Sequence, residues 1–251
     1  MIALIRATSA EILKIKRTLA LWLAFITPLA IVGLMFVASL LRQGEVAPDF
    51  NAWDGFTQLI FTFWCLLMLP LFITLETALL SELESAEKHW KHLFALPIPR
   101  AALYLAKLLV GAGLIALSTM VLWSGMLLAG YSLRWLKPGI GFDATMPWFE
   151  TLQTALLSYL AAWLILALHT WISLRWRSFT LSVAVGMIAT VIGVFLTISS
   201  ERWVRFYPWA LPSTAMSNDV QIVLPVLMVG ILGCIVVTIA GCWDMIRQDV
   251  L

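Results

Sequence analysis

Long apolar stretches constrain this chain more than any other feature of its sequence. Of the 251 residues, 62% are hydrophobic and 12% are charged, and the mean hydropathy is +0.96. A soluble domain carries about 25% charged residues. About 20 apolar residues in a helix cross a hydrocarbon core of about 30 Å. The composition therefore predicts an integral membrane protein, and a net charge of only +2 does not indicate a nucleic-acid partner.

Six apolar segments are long enough to cross a bilayer. The predicted spans are residues 19–41, 56–80, 108–130, 151–172, 179–199 and 221–243. Because a spanning segment must satisfy its own backbone hydrogen bonds, we expect an all-α membrane protein. No low-complexity linker divides residues 1–251, so the chain is predicted to form a single transmembrane domain.

The basic residues predict the orientation of these spans. With the N-terminus inside, 11 of the 16 lysines and arginines fall on the inner side and 5 on the outer side. Cytoplasmic loops of membrane proteins are enriched in these residues. Both termini are therefore predicted to lie in the cytoplasm.

Residues 1–18 are basic and partly amphipathic. One helical face carries Ile2, Ile5, Ile12 and Leu13, and most of the charged side chains lie elsewhere. The pattern predicts an interfacial helix on the cytoplasmic side. A disordered basic tail is the alternative.

The most charged run of the chain, residues 82–107, lies between the second and third spans. It contains two acid–lysine pairs spaced i,i+4 with the acid first, an order that stabilises an exposed helix. These pairs are Glu84 with Lys88 and Glu87 with Lys91. A helix here should end before Pro97. We interpret it as a docking surface for a soluble partner, and a solvated connector is the alternative.

Three other polar features lie in or between the spans. Glu76 is near the end of the second span, so we expect it to reach the cytoplasmic surface and pair with Arg100 or Lys107. His169 is interpreted as a packed or interfacial histidine, with a proton relay as the alternative. Residues 200–220 mix aromatic, charged and proline residues, which predicts a segment lying at, or dipping into, the outer interface.

Motifs for catalysis are missing from the sequence. It has no GxxxxGK[ST] loop, no HExxH and no GxSxG. His89 and His92 are spaced i,i+3 without an evident third metal ligand, and the three cysteines lie in apolar runs without ligand spacing. We therefore expect no catalytic, cofactor-binding or metal-binding residues in this chain.

Together these elements resemble the ABC-2 type permeases, the membrane subunits of type V ABC transporters. The most specific similarity is an acid, a tryptophan before a hydrophobic pair, a Leu-Pro pair, a basic residue and a later lysine. In this chain the pattern falls on Glu84, Trp90, Leu93, Leu96, Pro97, Arg100 and Lys107. The chain length and the LPxxR sequence most resemble the permeases of lantibiotic self-protection and bacitracin resistance transporters.

The resemblance implies that residues 82–96 form a coupling helix that docks on a separate ATPase subunit. The implied ATPase-coupling residues are Glu84, Glu87, Lys88, Trp90, Lys91, Leu93, Leu96, Pro97 and Arg100. Two ATPase subunits would bind ATP and Mg, and a second copy of this permease or a related one would complete the transporter.

The implied function is export of a hydrophobic or amphipathic compound, such as an antimicrobial peptide or drug, from a bacterial plasma membrane. This permease would not be an enzyme, because ATP hydrolysis belongs to the partner subunit. A non-transporting membrane scaffold or assembly factor that recruits a cytosolic protein through the same loop is the alternative.

Overall fold

In a computed structural model of the chain, the described residues are 2–16, 18–42, 51–85, 99–176, 178–199 and 202–247. These residues are mostly helical and none of them forms a β-strand. Within them, six helical stretches are long and apolar enough to cross a membrane. The predicted all-α architecture with six spans is therefore confirmed.

Ten α-helices are described. They are α1 (Ile2–Ile15), α2 (Leu19–Leu41), α3 (Ala52–Phe63), α4 (Leu69–Ser85), α5 (Arg100–Leu136), α6 (Trp148–Ala161), α7 (Trp163–Trp176), α8 (Phe179–Ile198), α9 (Leu211–Thr214) and α10 (Val220–Arg247). A π-helical turn joins α3 to α4, so these elements form one spanning stretch, as do α6 and α7. Two 3₁₀ turns, Arg202–Phe206 and Pro208–Ala210, precede α9.

The predicted span boundaries agree best with the observed helix boundaries where a helix ends at the same residue as its apolar run. The first span was predicted at residues 19–41, and α2 has these bounds. The third was predicted at residues 108–130, whereas α5 extends from Arg100 to Leu136. Hydropathy marks only the apolar part of a helix, and backbone hydrogen bonding continues through polar residues at each end.

The second spanning stretch contains a widened turn that hydropathy does not reveal. Trp64–Met68 is π-helical, and the Leu69 amide donates to the carbonyl of Trp64. Pro70 follows immediately. Proline has no amide hydrogen and its ring clashes with the carbonyl four residues earlier, so the wider turn accommodates it within a continuous stretch.

The fourth spanning stretch is interrupted at Ala162, which predictions from hydropathy also missed. The Ala162 amide donates to the carbonyls of Ser158 (3.1 Å) and Tyr159 (3.2 Å). Helix α10 approaches the stretch closely here, since a Cβ on Gly230 would lie 3.2 Å from the Cα of Ala161. The interruption therefore coincides with a close contact between helices.

The two ends of the bundle differ in what covers them. At one end, called the α1 end, helix α1 packs against α5. At the other, called the far end, Trp53 is fully buried and its Nε1 donates to the carbonyl of Phe142 (3.2 Å). A Cβ on Gly130 would lie 2.1 Å from the Trp53 ring, so glycine is needed for this packing. Gly139 and Gly141 have φ values of 85° and 92°, which favour glycine.

Candidate functional site

Three helices, α5, α7 and α10, meet at the α1 end. The Tyr104 hydroxyl in α5 donates to the Ala167 carbonyl in α7 (3.3 Å). A Cβ on Gly241 in α10 would lie 2.6 Å from that hydroxyl oxygen, so α10 packs directly over Tyr104. Trp171 Nε1 donates to Asp244 Oδ2 (3.0 Å) and joins α7 to α10. The helix ends here are held by both packing and hydrogen bonds.

A buried ion pair lies between these helices and α1. Lys107 Nζ is 3.1 Å from Glu11 Oε2, and the two residues are 3% and 2% exposed. Lys14 Nζ is 2.6 Å from Glu11 Oε1. Lys107 Nζ also donates to the backbone carbonyl of Leu80 in α4 (2.9 Å). We call Glu11, Lys14, Lys107 and the Leu80 carbonyl the Lys107 junction.

The Lys107 junction compensates the burial of its charges. Burial by itself raises the pKa of the Glu11 carboxyl, but the charge of Lys107 and the hydrogen bond and charge of Lys14 outweigh that effect. The pKa of Glu11 is therefore held below its usual value. A buried charge that loses its partner destabilises a protein by about 3–5 kcal/mol. The junction thus holds α1 against α4 and α5.

The junction lies beside the two ends of the predicted coupling segment. Leu80 precedes the C-terminus of α4 by five residues, and Lys107 is in the second turn of α5. Arg100, the first residue of α5, donates from Nη1 to the Ile246 carbonyl in α10 (3.3 Å). Sequence reasoning placed Lys107 in a motif and offered it as a partner for Glu76. It did not predict the pairing with Glu11, because the two residues are 96 positions apart.

Most of the predicted coupling residues lie outside the described part of the chain. These are Glu87, Lys88, Trp90, Lys91, Leu93, Leu96 and Pro97, together with His89 and His92. Glu84 falls in the last turn of α4, and its side chain is not among those described. The coupling assignment therefore stays a prediction, and Arg100 is the predicted residue whose contacts are described.

The expectation that Glu76 reaches the surface and pairs with Arg100 or Lys107 is wrong. Glu76 is 1% exposed, and neither carboxyl oxygen has a hydrogen-bond partner among the described residues. Helix α4 continues to Ser85, which leaves Glu76 well inside the bundle. Lys107 instead pairs with Glu11.

His169 is fully buried, so the packed interpretation is confirmed and the interfacial one is wrong. Its Nε2 is 3.2 Å from Thr74 Oγ1, and its ring meets the Trp209 ring edge-on at 5.4 Å. Trp209 belongs to the aromatic segment before α10, and Tyr207 in the same segment donates to the Ala189 carbonyl (2.8 Å). Part of this segment therefore enters the helix bundle, while Trp203 remains exposed.

The described helices and their contacts define the class of protein. Six apolar spanning stretches with a separate helix bound at one end form a multi-pass membrane protein. Residues 7–193 match the family described as ABC-2 family transporter protein. Because this match covers most of the chain, the chain belongs to the ABC-2 transporter family.

ABC-2 family proteins are transmembrane components of ABC transporters and generally work with an ABC ATPase. Neither a curated protein nor a solved structure matches the chain. The family match supports a transporter permease subunit. The finer similarity to lantibiotic and bacitracin permeases stays a prediction.

Proposed function

We propose that this chain is the permease subunit of an ATP-driven exporter in a bacterial plasma membrane. The proposal rests on family membership together with the Lys107 junction, which joins α1 to the helices on both sides of the charged segment. Two ATPase subunits would supply ATP and Mg binding, and a second permease would complete the assembly. The cargo would be a hydrophobic or amphipathic compound, such as an antimicrobial peptide or drug.

The proposed coupling begins at residues 82–96. An ATPase that docks on this segment pushes on the ends of α4 and α5 when it closes around ATP. Lys107 contacts α1 and α4 from its position in α5, so the three helices move together rather than separately. Rigid movement of packed helices is a common way to transmit such a conformational change.

Reconstitution with an ABC ATPase subunit tests the proposal. The wild-type permease should co-purify with the ATPase, and cargo should stimulate ATP turnover in liposomes. Replacing both Glu84 and Trp90 with alanine should abolish the stimulated turnover while leaving permease yield intact. Unchanged stimulation in this variant would contradict the coupling assignment.

Orientation and the scaffold alternative require separate measurements. A membrane-impermeant amine reagent should not label Lys91 from outside intact cells, because the coupling segment is proposed to face the cytoplasm. Labelling from outside would reverse the topology and exclude docking to a cytosolic ATPase. A permease that binds a cytosolic partner but moves no compound across liposomes would support the scaffold function.

A further inference from the structure

The far end contains a polar cavity of about 790 Å³. It lies between α3, the first turns of α6, the last turn of α8, α9 with the segments on either side of it, and the first turn of α10. Its lining includes the hydroxyl-bearing residues Thr197, Thr214 and Ser217. The cavity is at the opposite end of the bundle from the Lys107 junction and shares no residue with it.

Charges of both signs line this cavity without pairing with each other. Asp54, Glu150 and Arg205 are exposed on its walls. Asn51 donates to Asp54 (3.2 Å), whereas the Glu150 carboxylate and the Arg205 guanidinium have no ion-pair or hydrogen-bond partner among the described residues. We call Asp54, Glu150, Arg205 and the space between them the far-end cavity.

A second cleft of about 540 Å³ adjoins the far-end cavity. Glu150 and Thr154 line both spaces. Away from Glu150, the cleft is lined by Leu157 of α6 and by Leu224 and Leu227 of α10. Since α6 and α10 belong to spanning stretches, the apolar part of the cleft runs from the polar cavity toward the membrane interior.

We infer that the far-end cavity and this cleft bind a zwitterionic amphiphile of the phosphoethanolamine lipid class. Glu150 and Asp54 are placed to bind its ammonium, and Arg205 is placed to bind its phosphate. Its acyl chain lies along Leu157, Leu224 and Leu227. A ligand with both charges complements a cavity whose own opposite charges remain separate. Taking this amphiphile as transported cargo rests on the proposed exporter function, whereas its binding does not.

Helix electrostatics explain only part of this arrangement. Asp54 and Glu150 lie in the first turns of α3 and α6, where an acid is stabilised by the helix dipole. That effect does not require Arg205 in the same cavity, nor an apolar cleft beside Glu150. If the acids served only the helix dipole, their removal would change stability without changing ligand selectivity.

Equilibrium binding to the full-length permease in neutral detergent tests the inference. The probes are lysophosphatidylethanolamine, anionic lysophosphatidylglycerol and a cationic alkyltrimethylammonium, all with the same chain length. Native mass spectrometry measures the bound fraction in each titration. We expect the zwitterion to bind about tenfold more tightly than either singly charged probe, because it gains both charge-assisted contacts.

Two substitutions should each weaken binding of the probes that carry one sign of charge. Glu150→Gln should weaken binding of the zwitterionic and cationic probes about three- to tenfold and leave the anionic probe unchanged. Arg205→Gln should weaken the zwitterionic and anionic probes by a similar factor and leave the cationic probe unchanged. Arg134 and Asp143 form a separate exposed pair at 3.4 Å, so Arg134→Gln and Asp143→Asn are matched controls without a selective effect.

Equal affinity for the three probes, or equal effects of the control substitutions, would overturn the inference. Selective binding of a cationic peptide with no binding of lysophosphatidylethanolamine would also overturn it. Melting temperatures within about 2 °C of wild type exclude misfolding as the cause, since both substituted side chains are exposed. Selective binding without ATP-driven transport of lysophosphatidylethanolamine would retain the site and reject this amphiphile as cargo. ATP-driven export of another compound without selective lysophosphatidylethanolamine binding would retain the exporter function and reject the site.

Discussion

The Lys107 junction and the far-end cavity use charged side chains in opposite ways. At the junction, Lys107 and Glu11 are buried and each is held by more than one contact. In the cavity, Glu150 and Arg205 are exposed and unpaired within the described part of the chain. Buried paired charges fix helices in place, whereas exposed unpaired charges can exchange water for a ligand. The comparison predicts that substitutions at the junction affect stability, while those in the cavity affect selectivity.

The largest expected effect is at the junction. Among the described residues, Lys107→Met leaves Lys14 as the charged partner of the buried Glu11, and should lower the unfolding free energy by about 3–5 kcal/mol. Reversible unfolding in mixed micelles measures this change. Lys16→Met, an exposed lysine of the same end, should change it by less than about 0.5 kcal/mol. Equal effects of Lys107→Met and Lys16→Met on the unfolding free energy would contradict the stabilising role of the Lys107 junction.

A second substitution sharpens this result. Adding Glu11→Leu to Lys107→Met removes the carboxylate that has lost Lys107, and should restore most of the lost stability because an apolar pair can replace a buried ion pair. Additive losses in the double variant would show that the two side chains act independently.

Close packing against a glycine is expected to contribute equally to the unfolding free energy at the two ends. Gly130 at the far end lies under Trp53, and Gly241 at the α1 end lies under Tyr104. Gly130→Ala and Gly241→Ala should each lower the unfolding free energy by about 1–3 kcal/mol, because the aromatic rings must shift. Among the described residues, nothing beyond the surrounding turns of its own helix lies within 4 Å of where a Cβ on Gly113 would be. Gly113→Ala should therefore be neutral or stabilising. A loss at Gly113 as large as at Gly130 would contradict the packing argument.

Acid should weaken the Lys107 junction. The pKa of Glu11 is lowered from its usual 4.5 in the folded protein. Its contribution to stability is therefore present above pH 4.5 and is lost as the pH falls through the lowered pKa. Unfolding measured between pH 7 and 3 should show a smaller acid dependence in Glu11→Gln than in wild type. Identical acid dependence in both proteins would contradict the role of Glu11.

The smallest effects should come from exposed charges at the far end. Arg134→Gln should lower the unfolding free energy by about 0.2–1 kcal/mol, since exposed ion pairs contribute little. Glu150→Gln should change it by less than about 0.5 kcal/mol, since its carboxylate has no ion pair to lose within the described ranges. Thermal unfolding of the two variants measures both changes. A large loss of stability in Glu150→Gln would assign that residue a structural role.

Much of the fold follows from hydropathy because a bilayer accepts few backbone conformations. The six spans were predicted, and α2 has its predicted bounds at residues 19–41. The widened turn at Trp64–Met68 and the interruption at Ala162 were missed. Such irregularities change hydrogen bonding without changing hydropathy, so an apolar window contains no sign of them.

The functional residues were less predictable than the spans. The charged segment was recognised by its spacing, and most of the predicted coupling part, residues 82–96, lies outside the described residues. Glu76 was expected to pair with a basic residue at the surface, but α4 places it in the interior. Glu11 and Lys107 were each visible as charged residues in the sequence, yet their separation along the chain concealed the pair.

The sequence by itself determined the helical class, the six spans and the resemblance that led to the ABC-2 family, because segment length and hydrophobicity act locally. Only the tertiary structure decided which charges meet, since contact depends on how helices distant in sequence are packed. Tertiary packing therefore gave Lys107 a buried partner and left Glu150 and Arg205 separate on the walls of one cavity.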